Sequence, residues 1–297
     1  MSWFGGTATL GECPRWDGDT QSLTWVDIDG GTLHRAVLVD GAWGDTQWSV
    51  GAPLAGAVAV DGAADTYVLS LGGDLVTWHP ASGAGEALSV LAPDQGERLR
   101  LNETVTDPWG RIWVGSMAYD WTAGAGSFSV RHRDGLIARV IEGCTITNGV
   151  GWSPDGTQMY TTETRPGAIT AWRVDEHGMP TDPRVVVTSD GTDGNPDGLA
   201  VDTEGNLWSA FAGGGHVTCH SPQGRVLHRV GVDAPLATSC CFAGPERDRL
   251  VVTTGTKRLD AETLRRHPSS GRVFDAGVVG ATGLPQRPAA PTSPPAT

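Results

Sequence analysis

The stretch Asp107-Pro108-Trp109-Gly110-Arg111-Ile112-Trp113-Val114-Gly115 sets a turn directly before a short β-type run centred on Trp113. Asp, Pro and Gly favour the turn because they tolerate or pre-set its dihedrals, while branched and aromatic side chains suit a pleated, half-buried surface. The same unit recurs on both sides of this stretch, in Leu23-Thr24-Trp25-Val26, Thr66-Tyr67-Val68-Leu69, Gln158-Met159-Tyr160-Thr161, Asn206-Leu207-Trp208-Ser209 and Arg249-Leu250-Val251-Val252. Between Trp25, Tyr67, Trp113, Tyr160, Trp208 and Val251 the spacings are 42, 46, 47, 48 and 43 residues. A second β-type run follows each anchor, as in Leu75-Val76-Thr77-Trp78 and Ala168-Ile169-Thr170-Ala171-Trp172. A period in the forties with several strands per unit is the mark of a propeller. The sequence therefore predicts an all-β fold, a six-bladed β-propeller with a central channel, as one domain over residues 1–282. Helical periodicity is confined to Asp260–Arg266. Residues 283–297 are rich in Pro and Ala without apolar periodicity, and a mobile tail is expected there.

Composition narrows the partners. Of 297 residues, 21 are Lys or Arg and 34 are Asp or Glu, a formal charge of −13, and the dense basic patches are only Arg131-His132-Arg133 and Arg265-Arg266-His267. Phosphate backbones are bound by clustered cations, so no nucleic acid partner is expected. No run of about 18 apolar residues offers a membrane span, and Met1-Ser2-Trp3-Phe4-Gly5-Gly6 lacks the pattern of a secretory signal. A soluble, cytoplasmic protein is expected, with no membrane partner. The five cysteines include the adjacent Cys240 and Cys241 and form no recognisable pairing framework, so reduced thiols are expected. His216 and His220 fall in a strand-like run, where a structural role outweighs metal binding. No exposed apolar repeat demands a partner, and a monomer or weak dimer is expected.

In a propeller, residues at one register of every innermost strand meet around one axis. Counting 11 to 13 positions back from the anchors gives Glu12, Asn102, Asn148, Asp197 and Ser239, with only Ala55 or Gly56 from the second repeat. Asn148-Gly149 and Asp197-Gly198 taken singly read as turns. Taken jointly, two carboxylates and two amides make an oxygen-donor cluster suited to a hard divalent cation. The loop Asp190-Gly191-Thr192-Asp193-Gly194-Asn195 resembles a calcium loop but lacks its terminal bidentate Glu, and reads as a solvated turn. Neither a nucleophile-elbow serine motif nor a phosphate-binding glycine pattern is present.

At these residues the chain resembles the senescence marker protein, gluconolactonase and luciferin-regenerating enzyme family, which includes regucalcin. The resemblance is carried by Gly11-Glu12-Cys13-Pro14-Arg15-Trp16, Arg100-Leu101-Asn102-Glu103, Asp107 to Met117, Asn148-Gly149-Val150-Gly151-Trp152-Ser153 and Pro196-Asp197-Gly198-Leu199, and it spans about Ala8 to Phe274. It implies one catalytic divalent cation, Ca²⁺ first with Zn²⁺, Mg²⁺ or Mn²⁺ as alternatives, held by Glu12, Asn148 and Asp197. Asp197 doubles as the acid-base residue, Arg100 and Asn102 contact substrate, and Asp120 touches the sugar. The implied activity is metal-dependent opening of a small-molecule lactone or related cyclic ester. A hydrolase or cyclase of a bulky natural product and a non-catalytic metal- or ligand-binding propeller are the alternatives. Two positions depart from the family pattern: Cys13 stands where Gly usually follows the metal Glu, and Asn-Asp-Gly-Lys reads Asn102-Glu103-Thr104-Val105. Tyr119 and Trp121 flank Asp120 and are expected to wall or lid the mouth, favouring a substrate less polar than gluconolactone.

Overall fold

A computed structural model describes residues 1–91 and 98–291. Among the described residues the fold is all-β apart from one short helix, α1, Ala261–Arg266, whose N-cap Asp260 accepts a hydrogen bond from the Thr263 amide. Antiparallel meanders follow one another along the sequence. They form four four-stranded sheets and one eight-stranded sheet, the latter being two successive meanders linked where Met117 pairs with Ile146. The first strands of the meanders are Gly11–Asp17, Leu54–Ala59, Leu99–Thr106, Ile146–Trp152, Asn195–Val201 and Ala237–Ala243. These strands touch one another in cyclic order, the last returning to the first, and so surround a central channel.

Packing between successive sheets explains why the aromatic anchors recur. Trp25, Tyr67, Trp113, Tyr160, Trp208 and Val251 all lie in the second strand of a meander and are buried. Each side chain fills a core shared with the neighbouring sheet. Tyr67 packs with Trp78 and with Leu33 of the preceding sheet, and Trp113 with Trp152 and Met159 of the following one. The last core joins Val251 and Val273 to Trp16, Leu23 and Trp25 of the first sheet, so the hydrophobic layer is itself a closed cycle. The five cysteines are buried and unpaired. His216 and His220 are buried on the third strand of their meander, and burial holds His220 neutral by lowering its pKa to about 4.

Two features of the chain termini were not anticipated. Ser2–Phe4 forms the outer strand of the last sheet, with Ser2, Trp3 and Phe4 opposite Asp275, Phe274 and Val273. Residues 283–291, expected from sequence to begin a mobile tail, make specific contacts with the sheets, while 292–297 lie outside the described residues. The Gly283 amide donates to Arg247 O, the Trp16 amide to Gln286 Oε1 at 2.6 Å, the Thr106 hydroxyl to Arg287 O, and the Ala289 amide to Ala59 O at 2.7 Å. Leu284 and Ala289 pack into two inter-sheet cores. The segment is an extended strap beneath the channel, held chiefly through its backbone, which periodicity does not register. Truncation after Thr282 strips these bonds and reopens two apolar contacts. It is expected to lower unfolding free energy by about 5 kcal/mol, taking roughly 1 kcal/mol per hydrogen bond plus the buried Ala and Leu surface. Urea unfolding of the two chain lengths checks this, and superimposable curves would contradict the strap.

Candidate active site

Every first strand breaks register with its neighbour, and Ile146–Trp152 does so a second time, between Ile146 and Thr147. The other breaks fall between Glu12 and Arg15, Leu54 and Gly56, Leu101 and Thr104, Thr147 and Val150, Pro196 and Leu199, and Ala237 and Ser239. A bulge of this kind re-aims a side chain out of the ladder. Asn102, Asn148 and Asp197 are the first residues of their bulges, and Glu12 borders its own. The following glycines let the strands close in: a Cβ on Gly149 would lie 2.4 Å from Leu199 Cβ, and one on Gly198 2.0 Å from Ser239 Oγ. The last bulge holds one residue, Thr238, rather than two. Its hydroxyl donates to Gly11 O at 2.5 Å, which leaves Ser239 on the lower channel wall, one place off the register expected from spacing.

Hydrogen bonds link three of the residues singled out from sequence, Arg100, Asn102 and Asn148. Asn102 Nδ2 donates to Asn148 Oδ1 at 2.9 Å and to Thr147 O at 2.6 Å, and Arg100 Nη1 donates to Asn102 Oδ1 at 2.6 Å and Leu101 O at 2.9 Å. Asn148 Nδ2 in turn donates to Thr164 Oγ1 at 2.6 Å. Arg100, Asn102, Asn148, Glu12 and Asp197 are all buried. Burial first, and then the charge of Glu103, pushes the Glu12 carboxyl up to about 8. Asp197 is raised well above the usual carboxylate range by burial and by the nearby charges of Glu12 and Glu103, with Arg100 opposing.

Asp197 Oδ1 is the one buried carboxylate oxygen without a hydrogen-bond partner among the described residues. An orphaned anionic oxygen beside a second raised carboxyl and an amide oxygen with a spare lone pair fits an oxygen-seeking cation. No three Asp, Glu, His or Cys side chains converge closely enough to hold an ion by themselves among the described residues, so such an ion depends on the amide of Asn148.

The two departures from the family pattern touch each other. Cys13 Sγ donates to Glu103 Oε1 at 3.0 Å and to Ala55 O at 3.2 Å, and the Thr104 amide also donates to Glu103 Oε1. Both line a cavity of about 250 Å³ below the mouth, together with Arg15, Ser239 and the strap residues Gln286 and Arg287. Burial raises the Glu103 carboxyl, and sequence reasoning had assigned it no role. Its place beside Asn102 at a changed motif position was the available signal.

The loop after Met117 reads differently from expectation. Asp120 is exposed, and its Oδ1 accepts from the Thr122 amide and hydroxyl at 3.0 and 2.7 Å, so the structure places this carboxylate in its own turn. Tyr119 is exposed at the mouth, within electrostatic reach of Arg100. Trp121 is half-buried with φ +63°, and the guanidinium carbons of Arg165 and Arg258 lie 4.6 and 3.8 Å from its ring centre. Neither arginine was singled out by sequence, because nothing in the spacing links them to Trp121.

Residues 10–256 match the family model described as SMP-30/Gluconolactonase/LRE-like region. The chain is 32% identical over 276 residues to 6-deoxy-6-sulfogluconolactonase of Pseudomonas putida, covering 90% of each. Its fold is similar to that of a luciferin-regenerating enzyme, with a TM-score of 0.87, 26% identity and 96% of each chain covered. It is also similar to regucalcin, a calcium-binding protein from Agrobacterium tumefaciens strain C58, with a TM-score of 0.85, 26% identity, and 96% and 94% of the two chains covered.

Proposed function

The chain belongs to the SMP-30/gluconolactonase/LRE-like family, and from that premise we propose that it is a six-bladed β-propeller hydrolase that opens a sugar lactone with the help of one divalent cation. The observation that carries this reading is the buried, partnerless Asp197 Oδ1 beside Glu12 at the top of the channel. Glu12, Asn148 and Asp197 would hold the cation, Ca²⁺ before Mg²⁺, Mn²⁺ or Zn²⁺, and when bound it supplies polarisation of the ester carbonyl and acidification of water.

The chain's own groups divide the remaining work. The Asp197 carboxylate takes a proton from the attacking water and returns it to the ring oxygen as the ester bond breaks, so no net proton is consumed in the exchange. Arg100 is fixed through one nitrogen by Leu101 O and Asn102 Oδ1, which leaves the rest of its fork for substrate oxygens and the negative charge that develops on the carbonyl. Asn102 acts as a positioning residue, holding Asn148 Oδ1 in place. The strap closes the lower side of the same domain. The protein is read here as a cytoplasmic monomer or weak dimer that acts on small molecules; no described helix is long and apolar enough to cross a membrane.

The test is turnover of a lactone panel before and after exhaustive chelation. Activity on at least one aldonolactone is expected to fall about 100-fold or more on chelation and to return with added cation, since Lewis-acid stabilisation accounts for several kcal/mol of the barrier. Turnover indifferent to chelation sinks the metal reading. A panel with no substrate at all sinks the lactonase reading.

A further inference from the structure

Trp121 and Arg258 meet from opposite sides of the ring. Trp121 belongs to the hairpin loop that follows Ile112–Ala118 in the third meander, whereas Arg258 follows Arg249–Thr254 in the last. In the cyclic order of first strands, two others separate these meanders in either direction. Their contact therefore spans the channel mouth, and Arg165, from the fourth meander, lies over the same indole ring.

Two neighbours place this bridge above the candidate active site. Tyr119, two residues before Trp121, and Asp29, which pairs with Lys257 Nζ at 2.8 Å, both lie within electrostatic reach of the buried Arg100. The bridge is also held in an unusual conformation. Trp121 and Arg258 have φ of +63° and +62°, a region a bulky L-residue rarely enters unless its surroundings impose it.

The charges at the mouth are unevenly matched. The carboxylates around it already have partners: Asp29 has Lys257, Asp120 has Thr122, Glu163 accepts from the Thr145 amide, Asp193 pairs with Arg229, and Asp260 caps α1. Arg165 and Arg258 have no carboxylate partner among the described residues, although the chain as a whole carries an excess of acidic groups. Stacking on one indole holds both like-charged guanidiniums close together and orients their planar forks. An anion between or beside them removes the mutual repulsion and accepts bidentate bonds. The indole that sequence offered as an apolar wall thus carries two guanidiniums over its ring.

We propose that Arg165 and Arg258, splayed on Trp121, form an anion clamp at the mouth that selects lactones carrying a second negative group, a carboxylate, sulfonate or phosphate, on the carbon farthest from the ester. The proposal rests on the lactonase reading above and deepens it. The ester sits at the carboxylates in the channel, and the charged end of the substrate points outward to the clamp.

The experiment compares kcat/KM for glucono-lactone with that for its 6-phosphate and for glucaro-lactone, in the wild-type protein and in the Arg165→Gln/Arg258→Gln variant. The wild-type protein is expected to prefer at least one charged lactone about tenfold or more, with the preference shrinking as salt rises. In the double variant the charged-over-neutral ratio should fall to about one, and Arg258→Lys, which keeps charge but loses the fork, should fall between. The phosphate and carboxylate arms tell which anion the clamp fits. A wild-type ratio near one, or a ratio the double variant leaves intact, overturns the clamp while leaving lactone hydrolysis standing. Calorimetric binding of gluconate and 6-phosphogluconate needs no turnover. If no lactone is opened, tighter binding of the phosphate that the double variant abolishes supports the clamp, and equal binding overturns it.

Discussion

Replacing Asp197 with asparagine is expected to lower kcat/KM for lactone opening about 10³-fold or more while making the cation-free protein harder to unfold. The first half follows from the role of the Asp197 carboxylate as proton carrier, since removing a positioned acid-base group typically costs 10²- to 10⁴-fold. The second half follows from the electrostatics. Burial and the charges of Glu12 and Glu103 hold the Asp197 carboxyl well above its ordinary range, so in the absence of a cation its ionised form is better tolerated unfolded than folded. For an acid whose folded pKa is raised, stability is full below the unfolded pKa and declines as pH rises through the folded one. At pH 7 asparagine removes that burden, and a rise in Tm of a few degrees is expected in chelator. With cation present the order should reverse, because only the wild-type protein gains from binding. Thermal unfolding of both proteins with and without chelator, alongside kinetics, checks the pair. An Asp197→Asn protein that is inactive and also less stable in chelator would mean that the carboxylate is a structural hydrogen-bonding group rather than a poised one.

The second large effect concerns closure of the ring. Phe4 is buried, stacks on Trp43 at 4.8 Å and meets Trp25 edge-on at 5.7 Å, so the outer strand Ser2–Phe4 of the last sheet is also packed against the first. Phe4→Ala is expected to cost about 3 kcal/mol, the usual range for truncating a buried aromatic being 3–5 kcal/mol. Deleting residues 1–5 should cost more. It also frees the edge of Val273–Val278, which then presents unpaired backbone groups able to recruit another chain. Urea unfolding should show the lower midpoint, and sedimentation of the deletion variant should show concentration-dependent association. A deletion variant with an unchanged midpoint would show that the pairing contributes nothing to stability.

The repeat made much of this molecule readable before any coordinates. Trp25, Trp113 and Trp208 mark second strands because a propeller meander needs a large residue at one register to fill each inter-sheet core. Counting back from them and from Tyr160 reaches Glu12, Asn102, Asn148 and Asp197 because the first strand and its turn have nearly constant length. Ser239 misses by one because the last bulge is a residue shorter. Three other features carry no periodic signal. Ser2–Phe4 is too short to display one, residues 283–291 bind through backbone groups that any residue provides, and the Trp121–Arg258 contact exists only once the ring has brought distant loops together. Asp120 has the type and spacing that the reading asked for, and what the spacing did not foretell is that its Oδ1 accepts from Thr122 within its own turn.

Pairing Ser2 with Asp275 also sets a timetable for synthesis. Five meanders can assemble as they emerge from the ribosome, each docking on its predecessor, but the first sheet keeps one flank of Trp16 and Trp25 uncovered until Val251 and Val273 arrive. The nascent chain therefore carries an open apolar face for almost the whole of translation, and the final strand acts as a latch on an otherwise finished object. Such a chain relies on the latch closing quickly once released, since loop closure over so long a segment gains little from further growth of the chain.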